Sequence, residues 1–101
     1  MVRLLFAFAL ASSAAHALAR NPDPDGGRDL AAACASCHGT NGVSQAGIPG
    51  LAGRDRSEIA QLMRDFRSGK RPATVMHQIA KGYGDDQIEA IAAYLSAQKA
   101  K

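Results

Sequence analysis

The chain has no tryptophan and only five aromatic residues among its 101. Large apolar side chains are scarce, so a domain of this size builds only a thin core from its own residues and needs a staple. No alternating apolar and polar run of strand length appears, which argues against a sheet. No basic stripe is interleaved with aromatics, which argues against a nucleic-acid surface. Cysteine is nearly absent too: Cys34 and Cys37 are the only two. A structural zinc site needs four ligands, and past residue 19 the only histidines are His38 and His77. Four donors are reached only by using His38 directly beside Cys37, an awkward chelate. Nor does any apolar run reach the ~20 residues that span a bilayer.

The longest apolar run is Leu4 to Ala11, behind Arg3, and Ser12, Ser13 and His16 end it. A short positive start, an apolar stretch and the A-x-A site Ala17-Leu18-Ala19 make residues 1–19 a cleaved export leader. Ala15-His16-Ala17 is the second choice of site. The mature chain then runs from Arg20 to Lys101, 82 residues, and is expected in the periplasm. It keeps eleven Lys and Arg against nine Asp and Glu, a formal charge of +2.

Residues 20–27 read as a lead-in, and 28–101 as one domain. Asp25 or Gly26 can cap a first helix through about Ala35, with Leu30 on the Cys34 face. From Gly39 to Gly53 glycines recur and Asn41-Gly42 marks a turn, so this stretch is a loop. Asp55-Arg56-Ser57-Glu58 is a capping box, followed at helical spacing by Ile59, Leu62, Met63 and Phe66. That helix should stop near Gly69. After Pro72 a looser stretch reaches Met76, then a short turn runs to Gly82. The last helix starts at Asp85 or Asp86 and puts Ile88, Ile91, Ala92 and Leu95 on one stripe. The expected class is all-α, three main helices with irregular loops.

Cys34-Ala35-Ser36-Cys37-His38 carries the chemistry. Residues three and four apart on a helical turn share a face. Cys34 and Cys37 therefore both reach the vinyl groups of a porphyrin, while His38 offers its imidazole to the iron. Cys-x-x-Cys-His is the attachment signature of a c-type haem. A thioredoxin-like redox pair would lie near a strand–helix–strand pattern, and no strand flanks this one. A plain disulfide explains neither His38 nor the pattern of residues downstream of it. One covalent haem c would supply the missing apolar mass, with the Gly39–Gly53 loop wrapping its edge.

Function then turns on the second face of the iron. Met63, Met76 and His77 are the candidates once Met1 leaves with the leader. Met63 lies on an amphipathic helix face and suits core packing. Met76 sits in an irregular segment where an extended backbone can aim it at iron. His77 is its rival, or else an exposed polar histidine. A His/Met pair favours electron transfer; an open or exchangeable position would instead mean a haem enzyme or a gas-binding or sensing protein.

Cys34-Ala35-Ser36-Cys37-His38-Gly39, Ile48-Pro49-Gly50-Leu51-Ala52-Gly53, and Met76 followed by an Asp85-Asp86-Gln87-Ile88 helix resemble class I cytochromes c. The resemblance covers Arg28 to Ala97. It implies that the first and last helices cross beside the haem and that Met76 is the sixth ligand. It also implies that the Pro49 carbonyl accepts a hydrogen bond from the proximal imidazole, and that Leu51 and Tyr83 lie against the haem. Phe66-Arg67-Ser68-Gly69 and Met76-His77-Gln78-Ile79-Ala80-Lys81-Gly82-Tyr83 are similar to the haem subunit of flavocytochrome c sulfide dehydrogenase. Such subunits have a diheme form, whereas this chain has one haem motif. The implied activity is one-electron transfer in the periplasm, with no catalytic side chain. The implied donor is a flavoprotein sulfide dehydrogenase, and the acceptor a terminal oxidase or another cytochrome. Docking would use the rim formed by Ile48–Leu51 and Met76–Tyr83. Arg64, Arg67, Lys70 and Arg71 form either a charged flank to it or a solvated helix end.

Overall fold

The computed structural model describes residues 24–45 and 47–100. The leader, its cleavage site and the start of the lead-in lie outside the described residues. Among those described there is no strand, and no helix is long and apolar enough to cross a membrane.

The first helical segment is α1 (Pro24–Ala31), a 3-10 turn (Ala32–Cys34) and α2 (Ala35–His38), with right-handed helical backbone at both junctions. It opens at Pro24, where a missing N–H costs nothing in a first turn. It ends three residues past the expected Ala35, because no breaker intervenes before Gly39. The Gly39 N–H still donates to the Ala35 carbonyl at 3.0 Å. His38 therefore stands on the last helical turn.

Helix α3 (Arg56–Ser68) is capped by Asp55, whose carboxylate accepts from the Ser57 and Glu58 N–H groups at 2.9 and 3.1 Å and from the Ser57 hydroxyl. The return half of the expected box differs, since Glu58 pairs with Arg54 at 3.6 Å. Gly69, in the left-handed conformation at φ +79°, ends the helix where expected. Helix α4 (Met76–Ala80) corrects the reading of this stretch as irregular: Met76 opens a helical turn. Helix α5 (Asp85–Ser96) begins with the Gly84 N–H donating to Gln87 Oε1 at 2.9 Å.

The α5 stripe is the centre of the core: Ile88, Ile91, Ala92 and Leu95 are all buried. Each of the three large side chains contributes about 1.5–3 kcal/mol. Ile59, Ala60 and Met63 of α3 meet this stripe, with Ala31 and Ala80 completing the cluster. Among the described residues half of the ten buried apolar ones are alanine, so these side chains leave the core thin. Helix α1 crosses α5 where Gly27 lies against Ala90 and Tyr94. Between α2 and α3 the chain folds on itself: the Gly42 carbonyl accepts from the Leu51 and Ala52 N–H groups at 2.8 and 3.1 Å. Two contacts tie this loop to α5. The Gly53 N–H donates to the Leu95 carbonyl at 3.0 Å, and the Tyr94 hydroxyl donates to Asn41 Oδ1.

Candidate functional site

A cavity of about 390 Å³ opens between the first helical segment, the 48–51 loop, α3 and α4. Cys34, Cys37, His38, Pro49, Leu51, Met76 and Tyr83, the residues that the sequence and the family likeness assign to the haem, all line it. The first three come from one continuous helical stretch. Pro49 and Leu51 arrive because the loop closes through the Gly42 carbonyl. Met76 and Tyr83 bracket α4 and the turn after it.

His38 Nδ1 donates to the Pro49 carbonyl at 2.7 Å. A carbonyl only accepts, so Nδ1 carries a proton, and in the neutral ring Nε2 is the nitrogen left with a lone pair for a metal. Met76 and His77 are consecutive on α4, so their side chains diverge by about 100°. Met76 faces the cavity and His77 does not line it. Against expectation, His77 is half-buried, and its Nδ1 is buried without a hydrogen-bond partner. Met63 is 7% exposed and belongs to the core cluster as well as to the cavity wall.

Helical spacing put Leu62 and Phe66 on one face with Ile59 and Met63; in the structure both line the cavity, and Phe66 also packs against the core cluster. The available signal was the width of that face: Ile59 and Met63 suffice for the core, leaving Leu62 and Phe66 half-buried. Ile48, Val75 and Ile79 also line the cavity while remaining 43%, 54% and 42% exposed, an apolar mouth at the surface. Among the described residues Arg54 and Arg71 are the charged side chains that line it. The Arg71 guanidinium lies 5.7 Å from the Phe66 ring centroid. The basic group read around the end of α3 is not one patch. Arg64 pairs with Glu89 at 3.0 Å, and Arg67 with Asp85 at 2.6 Å, both across to α5.

Burial pushes the Cys34 thiol up from its ordinary value, outweighing a hydrogen bond with its own backbone that pulls it down. Reactive redox cysteines are tuned the other way, so Cys34 is not tuned as a reactive thiol. Burial, with a smaller effect from the Cys34 thiol, likewise raises the Tyr83 hydroxyl. Among the described residues no three His, Cys, Asp or Glu side chains cluster as a metal cage. A bare ion has no cage here. An apolar cavity with two thiols and an imidazole along one wall and a thioether on another fits a metalloporphyrin.

The family model described as cytochrome c oxidase, cbb3-type, subunit III matches residues 21–95. Cytochrome c-554(548) of Halomonas halodenitrificans is 36% identical over 81 residues, covering 76% of this chain and 98% of that protein. The chain belongs to the class I c-type cytochromes. Its cofactor is covalent haem c. This cytochrome is also similar to the cytochrome subunit of sulfide dehydrogenase from Chlorobaculum tepidum, with 43% identity over 68 residues. That match covers 67% of this chain and 62% of the relative. Among solved structures, cytochrome c4 of Acidithiobacillus ferrooxidans superposes with a TM-score of 0.67 at 34% identity, covering 72% of this chain and 47% of that one. The cytochrome thus spans well under two thirds of some relatives it matches.

Proposed function

We propose that this cytochrome is an exported one-electron carrier whose haem is attached at Cys34 and Cys37 and ligated by His38 and Met76. When bound, haem c supplies a metal centre that takes up and gives back one electron. The chain's own residues do the rest. Pro49 holds the His38 ring through Nδ1 and so directs Nε2 toward the metal. The Met76 thioether, a soft donor, favours the reduced metal. Leu51, Phe66 and Tyr83 keep water from the cavity. The observation that carries this reading is the convergence of His38, held by Pro49, and Met76 on a single apolar cavity. Export, and with it a periplasmic location, is supported by the leader pattern of residues 1–19.

Intact mass spectrometry of periplasmic protein should give the chain from Arg20 to Lys101, 82 residues, plus one haem. The oxidised protein should be low-spin with a far-red sulfur-to-iron band that Met76→Ala abolishes. Loss of the sixth ligand in His77→Ala instead would make the haem bis-histidine. A five-coordinate high-spin wild type would overturn the carrier in favour of a gas-binding protein or enzyme.

For the partner, the relative named as a cytochrome subunit of sulfide dehydrogenase supports a flavoprotein that oxidises sulfide as donor. A terminal oxidase or another cytochrome would be the acceptor. The mouth at Ile48, Val75 and Ile79 supplies an apolar docking spot beside the cavity. In stopped-flow mixing with such a flavoprotein, haem reduction on sulfide addition should outpace sulfide alone and slow only weakly with salt. Reduction no faster than the chemical background would leave a general shuttle.

A further inference from the structure

Tyr83 ends a hydrogen-bonded run that starts at Met76. The Gly82 N–H donates to the Ile79 carbonyl at 3.1 Å and the Tyr83 N–H to the Ala80 carbonyl at 3.2 Å, so α4 continues as a turn to Tyr83. Both ends of this run face the haem cavity, Met76 at one and Tyr83 at the other. Its far end is held from α3. Arg67 donates through Nη1 to the Tyr83 carbonyl at 3.2 Å and through Nη2 to Asp85 Oδ1 at 2.6 Å. The Arg67 side chain is 30% exposed and that of Asp85 73%. An ion pair so open to water adds little stability by itself. A planar guanidinium with two donors in fixed geometry nevertheless sets where its two acceptors sit. One of those acceptors is the backbone of a cavity residue.

We propose that Arg67 is a positioning residue of the haem site: its fork on the Tyr83 carbonyl and the Asp85 carboxylate fixes the end of the Met76–Tyr83 run. It thereby fixes the placement of Tyr83 against the Cys34 side of the cavity. The inference rests on the reading of Met76 as axial ligand and adds a residue outside the cavity that governs how firmly that ligand is held.

The test uses the haem-loaded protein and follows the sulfur-to-iron band, the reduction potential and the helical signal. In wild type, band and helix should be lost at one urea midpoint. In Arg67→Gln the band should go first. At a fixed urea concentration before helix loss, the ratio of Met-ligated to unligated protein should fall about tenfold, the low end for outer-sphere partners. The reduction potential should fall with it. Arg67→Lys, able to reach one acceptor, should lie between. Asp85→Asn should also lose the band early, and the double variant with Arg67→Gln should add nothing, because both act through one fork. Simultaneous loss of band and helix in Arg67→Gln with an unchanged potential overturns the proposal, as does full additivity with Asp85→Asn. Should Arg67→Gln not accumulate, Asp85→Asn weakens the same fork and carries the same two outcomes. A wild type lacking the band refutes Met76 ligation. In that case the potential alone decides for Arg67, shifted by Arg67→Gln or not.

Discussion

Gly27→Ala sets helix propensity against packing, and the structure decides the sign. Within a helix, alanine is better than glycine by about 1 kcal/mol. At Gly27, however, an added Cβ would lie 2.5 Å from the Ala90 carbonyl oxygen and 3.1 Å from the Tyr94 Cβ. Ordinary carbon–oxygen contacts begin near ~3.3 Å, so α1 and α5 must separate by roughly 0.8 Å. The obstacle is backbone inside α5 and cannot rotate away. Overpacking costs about 1–3 kcal/mol, and a backbone obstacle places this case in the upper half. The net loss is then about 1–2 kcal/mol. For a domain of this size each kcal/mol lowers Tm by roughly 4–8 °C. Thermal and urea unfolding of the haem-loaded protein measure it directly. Because α1 runs on into the helical turn bearing Cys34, Cys37 and His38, the variant should also broaden the haem spectrum. A gain of about 1 kcal/mol with an unchanged spectrum would show propensity acting alone and refute the argument from the crossing.

Two further outcomes are expected. Met63→Ala should cost about 2–5 kcal/mol in urea unfolding yet keep the sulfur-to-iron band, because Met63 packs with the core; losing the band would move the axial ligand to α3. The Ser57 hydroxyl and the Glu58 and Ser57 N–H groups hold the Asp55 carboxyl below its usual range, and Arg67 does the same for Asp85. Both groups bind fewer protons folded than unfolded. Their stabilisation is complete above the unfolded carboxylate value near ~4 and is lost as pH falls through the depressed folded values. Unfolding midpoints should drop on acidification below about pH 4, and Asp55→Ala or Asp85→Asn should flatten that limb.

Much of this molecule was written locally. The spacing of Cys34, Cys37 and His38 depends on one helical turn, and the Asp55 start and Gly69 stop of α3 depend on groups within three residues of each helix end. The stripe Ile88, Ile91, Ala92 and Leu95 follows from a 3.6-residue repeat. The likeness to class I cytochromes c added Pro49, Leu51 and Tyr83 and selected Met76 among three candidates, and all four line the cavity. Short-range signals stopped at three places. Arg67 read as a cation near a helix end, and only folding brought residues 83 and 85 within its reach. His77 read as a rival ligand or an exposed histidine, whereas on the helical turn opened by Met76 it does not line the cavity and is half-buried. Asn41 read as a turn residue, and its hydrogen bond to Tyr94 spans 53 positions. The sequence alone thus determined the cofactor chemistry, the helices and their ends, because these rest on neighbours along the chain. Tertiary structure decided how Gly27 meets Ala90, which face of α3 becomes cavity wall and what clamps Tyr83. Those contacts exist only once distant segments have closed on one another.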